Sequence, residues 1–378
     1  MADCDHAPLA PSSAERLVMC PGSRKLAALF PQEATIESRE GTAAHWALAE
    51  LLNFRDVAVG QVAANGVTLN AEMIECAELV AEYIIDRDGN PPQRGVEQLV
   101  KNPILNVENY GTPDYAAFVP LELHVDDYKH GHKYVEVVGN LQLLNYAILI
   151  VAEMTNRKIL IDRHLKITMT IHQPRCYHRG SPHRSWSIMA SELEPYRVLM
   201  RKQYAIAMTD NAPVYATDPE ICEHCPGRHA CEAATAAGYS AYEHAFSSIP
   251  LVMSRAAQGL ELKILRRAAG QLKARITGLE EQVKMGLREP GGVPGWDVEF
   301  GPGRIVWDES KASQDTIIST AAAVGVHIAK PGIMTPTQAK KAGLQIELVE
   351  AFTKQQSGAA ELVENDATLA SRVFGARP

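Results

Sequence analysis

The sequence is short of several things, and each shortage excludes something. No apolar run reaches the ~18 residues that a membrane-spanning helix needs, so no membrane span is expected. Met1 to Ala10 carries Asp3, Asp5 and His6 and no apolar stretch, which argues against a secretory signal peptide and makes the cytoplasm the expected compartment. Internal repeats and low-complexity tracts are lacking, so solenoid and array architectures are excluded. Positive charge is not in excess, the net charge being -8. A protein that coats nucleic acid with a uniformly basic surface would not have this balance. A nuclease tolerates it, because its active site must carry carboxylates and its DNA contact can be one local groove. The seven cysteines are an odd number in a leaderless chain, which disfavours a disulfide framework.

What is present suggests one large core with an appendage in 378 residues. Ser12 and Glu15 have the spacing of a capping box and predict a helix to about Cys20, where Pro21-Gly22 interrupts. A short helix over 23–30, another over 42–53 and a fourth capped by Asn70 and ending near Asp86 follow from apolar periodicity. Residues 96–105, 115–119 and 121–127 are short β-rich runs, punctuated by Gly111-Thr112-Pro113-Asp114 and Pro120. An apolar helix over 138–154, a strand over 166–172 and a helix over 191–208 complete a compact α/β core with mixed strands. Beyond about residue 240 the character changes. Residues 254–287 form a long helical stretch, 296–307 reads as a hairpin turning at Gly301-Pro302-Gly303, and 308–324 and 335–352 as small helices. The expected division is a core domain over 1–240, a mainly helical region over 250–354 and a flexible tail over 355–378.

The residues richest in chemistry are Asp114, Asp127 and Lys129. Asp127 and Lys129 stand at i and i+2 at a strand end, so both side chains share a face. If that strand pairs with the one opened by Asp114, the two carboxylates converge. Paired carboxylates suit magnesium or manganese. Phosphodiester cleavage needs such a cation, and Lys129 can stabilise the charge that develops in the transition state. Alone, the D-x-K also fits a solvated turn of Asp126, Asp127, Lys129, His130 and Lys133. The flanking residues change the weighting. His45 lies near the start of its predicted helix, Glu97 begins the strand before Asp114, and Gln142 and Tyr146 share one face of the apolar helix.

In this order the residues resemble the RecB-like nucleases of the PD-(D/E)XK superfamily. That family carries a helical His, a strand Glu, a G-x-x-D, a (D/E)-x-K and a Q-x-x-x-Y. The chain has His45, Glu97, Gly111 to Asp114, Asp127-Tyr128-Lys129 and Gln142 to Tyr146. The resemblance implies a restriction-endonuclease-like α/β core, a mixed central sheet flanked by helices, with a mainly helical C-terminal extension. His45, Asp114 and Asp127 would ligate magnesium or manganese. Lys129 would be the catalytic lysine, Glu97 a further catalytic carboxylate, and Gln142 and Tyr146 would shape the site and touch the strand.

Cys222, Cys225 and Cys231 form a C-x2-C-x5-C, and three thiolates require a fourth ligand. His224, His229 and the distant Cys20 are the candidates. Spacing alone leaves zinc and an iron–sulfur cluster level. A subset of RecB-like nucleases, including AddB-type subunits and CRISPR-associated exonucleases, places one Cys before the core and this triplet after it. Cys20 with Cys222, Cys225 and Cys231 fits that layout and implies a 4Fe-4S cluster stapling the ends of the domain. Cys4, Cys76 and Cys176 are left over, Cys76 as a buried helix residue.

Residues 172–186 hold Arg175, Arg179 and Arg184 with histidines, Tyr177 and Trp186, a basic and aromatic loop that could follow a phosphate backbone and equally could be a solvated loop. The chain as a whole also resembles a phage-encoded family with P-S-S-A…C-P-G-S, E-G-T-A-A-H and Q-P-R segments, here Pro11 to Ala14, Cys20 to Ser23, Glu40 to His45 and Gln173 to Arg175. This implies a phage protein in the bacterial host that processes DNA ends in recombination or replication, with a single-strand annealing or single-strand-binding protein as partner. An exonuclease is the favoured expectation. An endonuclease of the same fold, a non-catalytic DNA-end-binding assembly factor and a zinc-containing regulator are the alternatives, and the C-terminal region could oligomerise.

Overall fold

The computed structural model describes residues 7–30, 34–157, 164–176, 180–216, 218–244, 254–308, 310–330 and 332–364. They divide into two units, Met1–Arg275 and Ile276–Pro378.

The first unit opens with a 3-10 turn over Pro11–Ser13 and the helices α1 (Ala14–Met19) and α2 (Ser23–Ala28). No capping hydrogen bond forms at the start of α1; the Ser13 hydroxyl instead accepts from Arg16. Helix α3 (Ile36–Leu52) begins six residues before the expected Thr42, because Thr35 caps it by accepting from the Ser38 N–H. His45 is therefore well inside the helix. Asn70 caps α4 (Ala71–Asp88) as expected.

Next come β1 (Arg94–Val96), β2 (Val100–Lys101), β3 (Tyr110–Gly111), β4 (Tyr115–Val119) and β5 (Glu122–Tyr128), then α5 (Leu141–Asn156). The unit continues with β6 (Lys166–His172), β7 (His183–Met189), α6 (Glu194–Ala207), α7 (Pro219–Glu223) and α8 (Glu232–His244). Helix α9 (Arg255–Gly286) runs into the second unit.

Five strands form a mixed sheet in the order β1-β4-β5-β6-β7. Strands β4 and β5 are the antiparallel hairpin expected around Pro120, with Tyr115 opposite Asp126. The β5–β6 pair is parallel, which requires a crossover, and α5 supplies it. Strand β7 was not expected: its first four residues, 183–186, fall in the basic loop read over 172–186. Its polar–apolar alternation spans only Ser185 to Ile188, because Arg184 stands where an apolar residue would continue the inner face.

Each face of the sheet carries its own core. On one side α3 and α4 cover Tyr115, Ala117 and Tyr128 with Ala44, Leu48, Ala77, Val80 and Ile84. On the other α5 lays Leu143, Leu144, Ala147 and Ile148 over Leu123, Val125, Ile167, Met169 and Ile171, with Met200 and Tyr204 of α6 closing the edge. Strand β5 is buried along nearly all of its length. Alternation there decides only which of two interiors a side chain enters.

The second unit contains β8 (Trp296–Trp307), α10 (Gln314–Ala323), β9 (Ala329–Lys330), β10 (Gly332–Ile333), α11 (Pro336–Lys341), α12 (Ile346–Phe352) and β11 (Thr353–Glu364). Ile317, Ala321, Ile328, Ala339, Leu344 and Val349 are its small core. Two expectations fail here. Residues 296–307 do not fold back as a hairpin; they form one strand paired with β11. The register shifts where Pro302 faces Ser357, and such an irregularity is where a strand tolerates proline. Residues 355–364, expected as tail, belong to the partner strand that opens at Thr353, and their polar composition suits a two-stranded ribbon. Residues 365–378 lie outside the described residues.

Candidate metal centre

The carboxylates meet at one end of the β4–β5 pair. Asp114, just before β4, is fixed from both sides. Its Oδ2 accepts the Tyr128 backbone N–H at 2.6 Å, and its Oδ1 meets His45 Nδ1 of α3 at 2.7 Å. The Asp114 carbonyl accepts the Glu97 N–H at 3.1 Å. Glu97 is not the first residue of a strand. It follows β1 with a positive φ of 46°, a conformation costly for a side-chain-bearing residue. That turn brings its carboxyl to the site. Among the described residues, His45, Glu97 and Asp114 are the one group of three or more His, Cys, Asp or Glu whose donor atoms lie within 4.8 Å of one another.

Asp127 points to the same end from β5 but belongs to a different subset. Its Oδ2 lies 2.8 Å from Lys129 Nζ, and its Oδ1 accepts from Gln142 Nε2 at 2.7 Å. Gln142 also accepts from Lys129 Nζ at 3.0 Å, so one amide at the start of α5 orients both residues. Asn140 caps that helix by accepting the Gln142 and Leu143 N–H groups, which sets where Gln142 stands. Tyr146, one turn on, donates to the Thr112 carbonyl at 3.0 Å. Gly111 is required beneath it: a Cβ there would lie 2.7 Å from Pro11 and 3.3 Å from the Tyr146 ring. The structure therefore places His45, Glu97 and Asp114 together as donors and joins Asp127, Lys129 and Gln142 beside them. The ligand trio expected from sequence had Asp127 where Glu97 stands.

The electrostatics follow from three carboxyls sharing little water. Burial pushes the Glu97 carboxyl up, and the neighbouring Asp114 carboxylate adds to this, to about 8. Glu97 is exposed as a residue, but its carboxyl stands among the other site groups. Burial raises Asp127 against the opposing pull of Lys129, with Asp114 adding to the rise. Burial alone would raise Asp114, but His45 and the Tyr128 N–H outweigh it and hold it below the usual carboxylate range. Burial alone would lower His45 and Lys129; their carboxylate partners raise both. Hydrogen-bonding oxygen and nitrogen donors in an acid-rich pocket are the chemistry that a hard divalent cation satisfies.

On the opposite face of β5 lies a second polar cluster that sequence reading missed. Asp126 takes two hydrogen bonds from Arg87, at 2.8 and 2.9 Å, and one contact from His172 Nε2 at 2.8 Å. Arg87 also pairs with Asp88, and Asp88 with His124 Nδ1 at 2.6 Å. His172 passes the chain on to His183, which stacks on Tyr83 at 4.2 Å. The available signal was the alternation itself, which sends Asp126 away from Asp127.

Cys20, Cys222, Cys225 and Cys231 are all buried and line one small cavity with apolar residues such as Val214 and Ile221. They are free cysteines, as are Cys76 and Cys176. The Tyr215 N–H donates to Cys20 Sγ at 3.2 Å. Gly22 makes this approach possible, since a Cβ would lie 2.5 Å from the Ala212 carbonyl oxygen. No three of the four sulfurs come within 4.8 Å of one another. A single tetrahedral zinc would hold them about 3.8 Å apart, from Zn–S bonds of about 2.3 Å. Burial raises the Cys20 and Cys222 thiols, Cys222 to about 11. Cys4 lies outside the described residues.

The basic loop is tied into the fold. Arg175 donates to the His130 carbonyl and pairs with Glu72. Arg184, on β7, donates to the Val135 carbonyl and Gln173 and lies over the Tyr134 ring at 4.5 Å. Both clamp residues 130–135, the segment that leaves Lys129. Arg179 and Tyr177 lie outside the described residues.

Fold and site together define an α/β protein with a mixed five-stranded sheet flanked by helices and a histidine–carboxylate cluster at one sheet end. The chain belongs to the family described as "Protein of unknown function (DUF2800)", whose model matches residues 6–368. No helix among the described residues is long and apolar enough to cross a membrane.

Proposed function

We propose that the chain is a metal-dependent deoxyribonuclease of the RecB-like PD-(D/E)XK type that acts on DNA ends as an exonuclease. One observation carries the reading: His45, Glu97 and Asp114 gather their donor atoms within 4.8 Å, beside an Asp127–Lys129 pair held by Gln142. The residues fit the cation that the resemblance implies. His45, Glu97 and Asp114 would hold magnesium or manganese, with Asp127 adjoining. Such an ion supplies a polarised phosphate and a more acidic water. The chain's own residues do the rest. Lys129 keeps its positive charge beside the pocket, where it stabilises negative charge building on a phosphate. Gln142 fixes the lysine's direction, and Asp114 fixes the imidazole of His45.

The four cysteines are read as the seat of a 4Fe-4S cluster. All four are soft donors lining one apolar cavity. The cluster would join residue 20 to residues 222–231, closing a long loop and so supporting the fold. Iron and labile sulfide measured per chain, with the thermal midpoint, test this. Cys20→Ser should lose both metal and stability; a brown, stable variant overturns the staple.

The activity test is cleavage of end-labelled linear DNA against closed circular DNA, with and without magnesium or manganese, on anaerobically purified protein and on Asp127→Ala. Metal-dependent loss of the linear substrate alone, absent in the variant, is expected. Cutting of the circle would make the protein an endonuclease. DNA binding without cleavage of either substrate would overturn the nuclease reading in favour of an end-binding factor. Addition of a single-strand annealing protein tests the partner that the phage resemblance implies.

A further inference from the structure

The cavity that the four cysteines line is not wholly apolar. Arg16, Ser23 and Arg228 also line it, and among the described residues no Asp or Glu does. Ser23 is 2% exposed, yet its hydroxyl has no hydrogen-bond partner. Arg16 donates from Nη2 to the Ser13 hydroxyl at 3.0 Å, but its Nη1 is buried without a partner. A buried polar group left unpaired is destabilising, and such groups are few in folded proteins. Two of them at one cavity require an acceptor inside it. Arg228, 4% exposed, adds a second guanidinium, its Nη1 donating to the Cys225 carbonyl at 3.0 Å. Guanidinium groups keep their charge at any physiological pH, so the occupant that suits this cavity is an anion.

Neutral thiols do not meet that requirement, because a thiol sulfur is uncharged and a weak acceptor. Metal-bound thiolates meet it. Four of them around an iron–sulfur core leave the assembly doubly negative, and a one-electron reduction adds a further negative charge. Hydrogen bonds to sulfur and nearby positive charge therefore favour the reduced form over the oxidised one, which raises the reduction potential. The Tyr215 N–H, 3.2 Å from Cys20 Sγ, is already placed to act in this sense. Val214 and Ile221 line the same cavity, and in such a low-dielectric setting each donor and each charge weighs more than it would in water.

We propose that Arg16 and Ser23 tune the cluster: Arg16 Nη1 and the Ser23 hydroxyl donate to its sulfurs and raise its reduction potential. This rests on the reading of the four cysteines as a 4Fe-4S seat, and it gives that seat a redox property beyond joining distant parts of the chain. The test is a mediated redox titration of the anaerobically purified holoprotein, followed by the paramagnetic resonance of the reduced cluster, with iron and labile sulfide counted per chain. Ser23→Ala removes a hydroxyl that bonds to nothing in the protein, so folding and iron content should be retained. Arg16→Gln keeps a donor and removes the charge, whereas Arg16→Lys keeps the charge. Ser23→Ala and Arg16→Gln should each weaken the reduced form against the oxidised form about tenfold, lowering the potential by about 59 mV for one electron. Arg16→Lys should recover most of the Arg16→Gln shift. If Arg16→Gln loses iron or misfolds, Ser23→Ala decides. Iron-loaded variants whose potentials match the parent's overturn the tuning and leave the cluster reading standing. A parent cluster that dithionite leaves oxidised overturns it too. A parent that purifies with zinc and without iron overturns the cluster reading, and the tuning with it.

Discussion

Asp126 and Asp127 are adjacent on β5, and the strand's period of two sends them into different interiors. Asp126 is wholly buried, yet Arg87 and His172 surround it and hold its carboxyl below the usual range. Asp127 is nearly as buried, and its carboxyl is pushed up, because burial and the Asp114 carboxylate outweigh the one lysine beside it. The difference is charge balance. On the α4 face each acid has cationic partners and the network is closed. At the end of the β4–β5 pair three carboxyls share Lys129 and His45. A closed network stabilises a fold, whereas an acid-rich one gains when a cation arrives. Residue type and depth do not separate scaffold from chemistry here; neighbours do.

The largest expected effect is on the scaffold side. Asp126→Ala would leave His172 buried without its anion and Arg87 with Asp88 alone, costing about 3–5 kcal/mol in chemical denaturation. The same change at Asp127 should cost about 1 kcal/mol or less, since Lys129 can reach water, while abolishing metal-dependent cleavage. Equal destabilisation by the two would erase the distinction.

Acid should act next, and first through the α4-face network. Burial and His172 push His183 down to about 4. A histidine depressed in the fold stays neutral there and charges on unfolding, so its contribution is lost as pH falls from its ordinary ~6.5 toward the folded value. Asp88 is held low: burial opposes this, but its bonds to His124 and Arg87 win. Its contribution is present above the ordinary carboxylate pKa and disappears as pH falls below it. The thermal midpoint should therefore decline in two stages below neutrality. His183→Gln should make the upper stage shallower without removing it, because burial pushes His130 down to about 3 and it responds over the same window; an unaltered profile in that variant would show that the network does not carry its share of the acid response.

The smallest effect sharpens the comparison on the site side. Gln142→Leu removes the amide that holds Asp127 and Lys129 without removing either. Turnover should fall roughly ten- to a hundredfold, with DNA affinity and thermal midpoint unchanged. A stability loss larger than the activity loss would mean that Gln142 belongs to the scaffold.

Much of the core was legible. Period-two runs marked β4, β5 and β6, and apolar 3.6-periodicity with Asn70 marked α4. Strand β7 was not read, because its alternation spans only Ser185 to Ile188, with Arg184 where an apolar residue would stand. Nor was the β8–β11 ribbon: Gly301-Pro302-Gly303 is local turn chemistry that a distant strand overrides. At the site, Asp127 and Lys129 could be paired from local spacing, whereas Gln142 was grouped by spacing only with Tyr146. Glu97 gave no such signal, because it owes its position to a strained backbone conformation and to an N–H bond to Asp114.

The sequence by itself determined what depends on neighbours along the chain: helix and strand periods, the Asn70 cap and the net charge. Tertiary structure decided what depends on neighbours in space. It chose Glu97 rather than Asp127 to join His45 and Asp114, closed Asp126 into a salt-bridged network, and brought Cys20 to a triplet some two hundred residues on. It also used Arg175 and Arg184 to clamp a loop. The physical reason is that burial and Coulomb interaction act through space. Whether a carboxylate is paired or left in like-charge company is settled only when strands from distant parts of the chain meet.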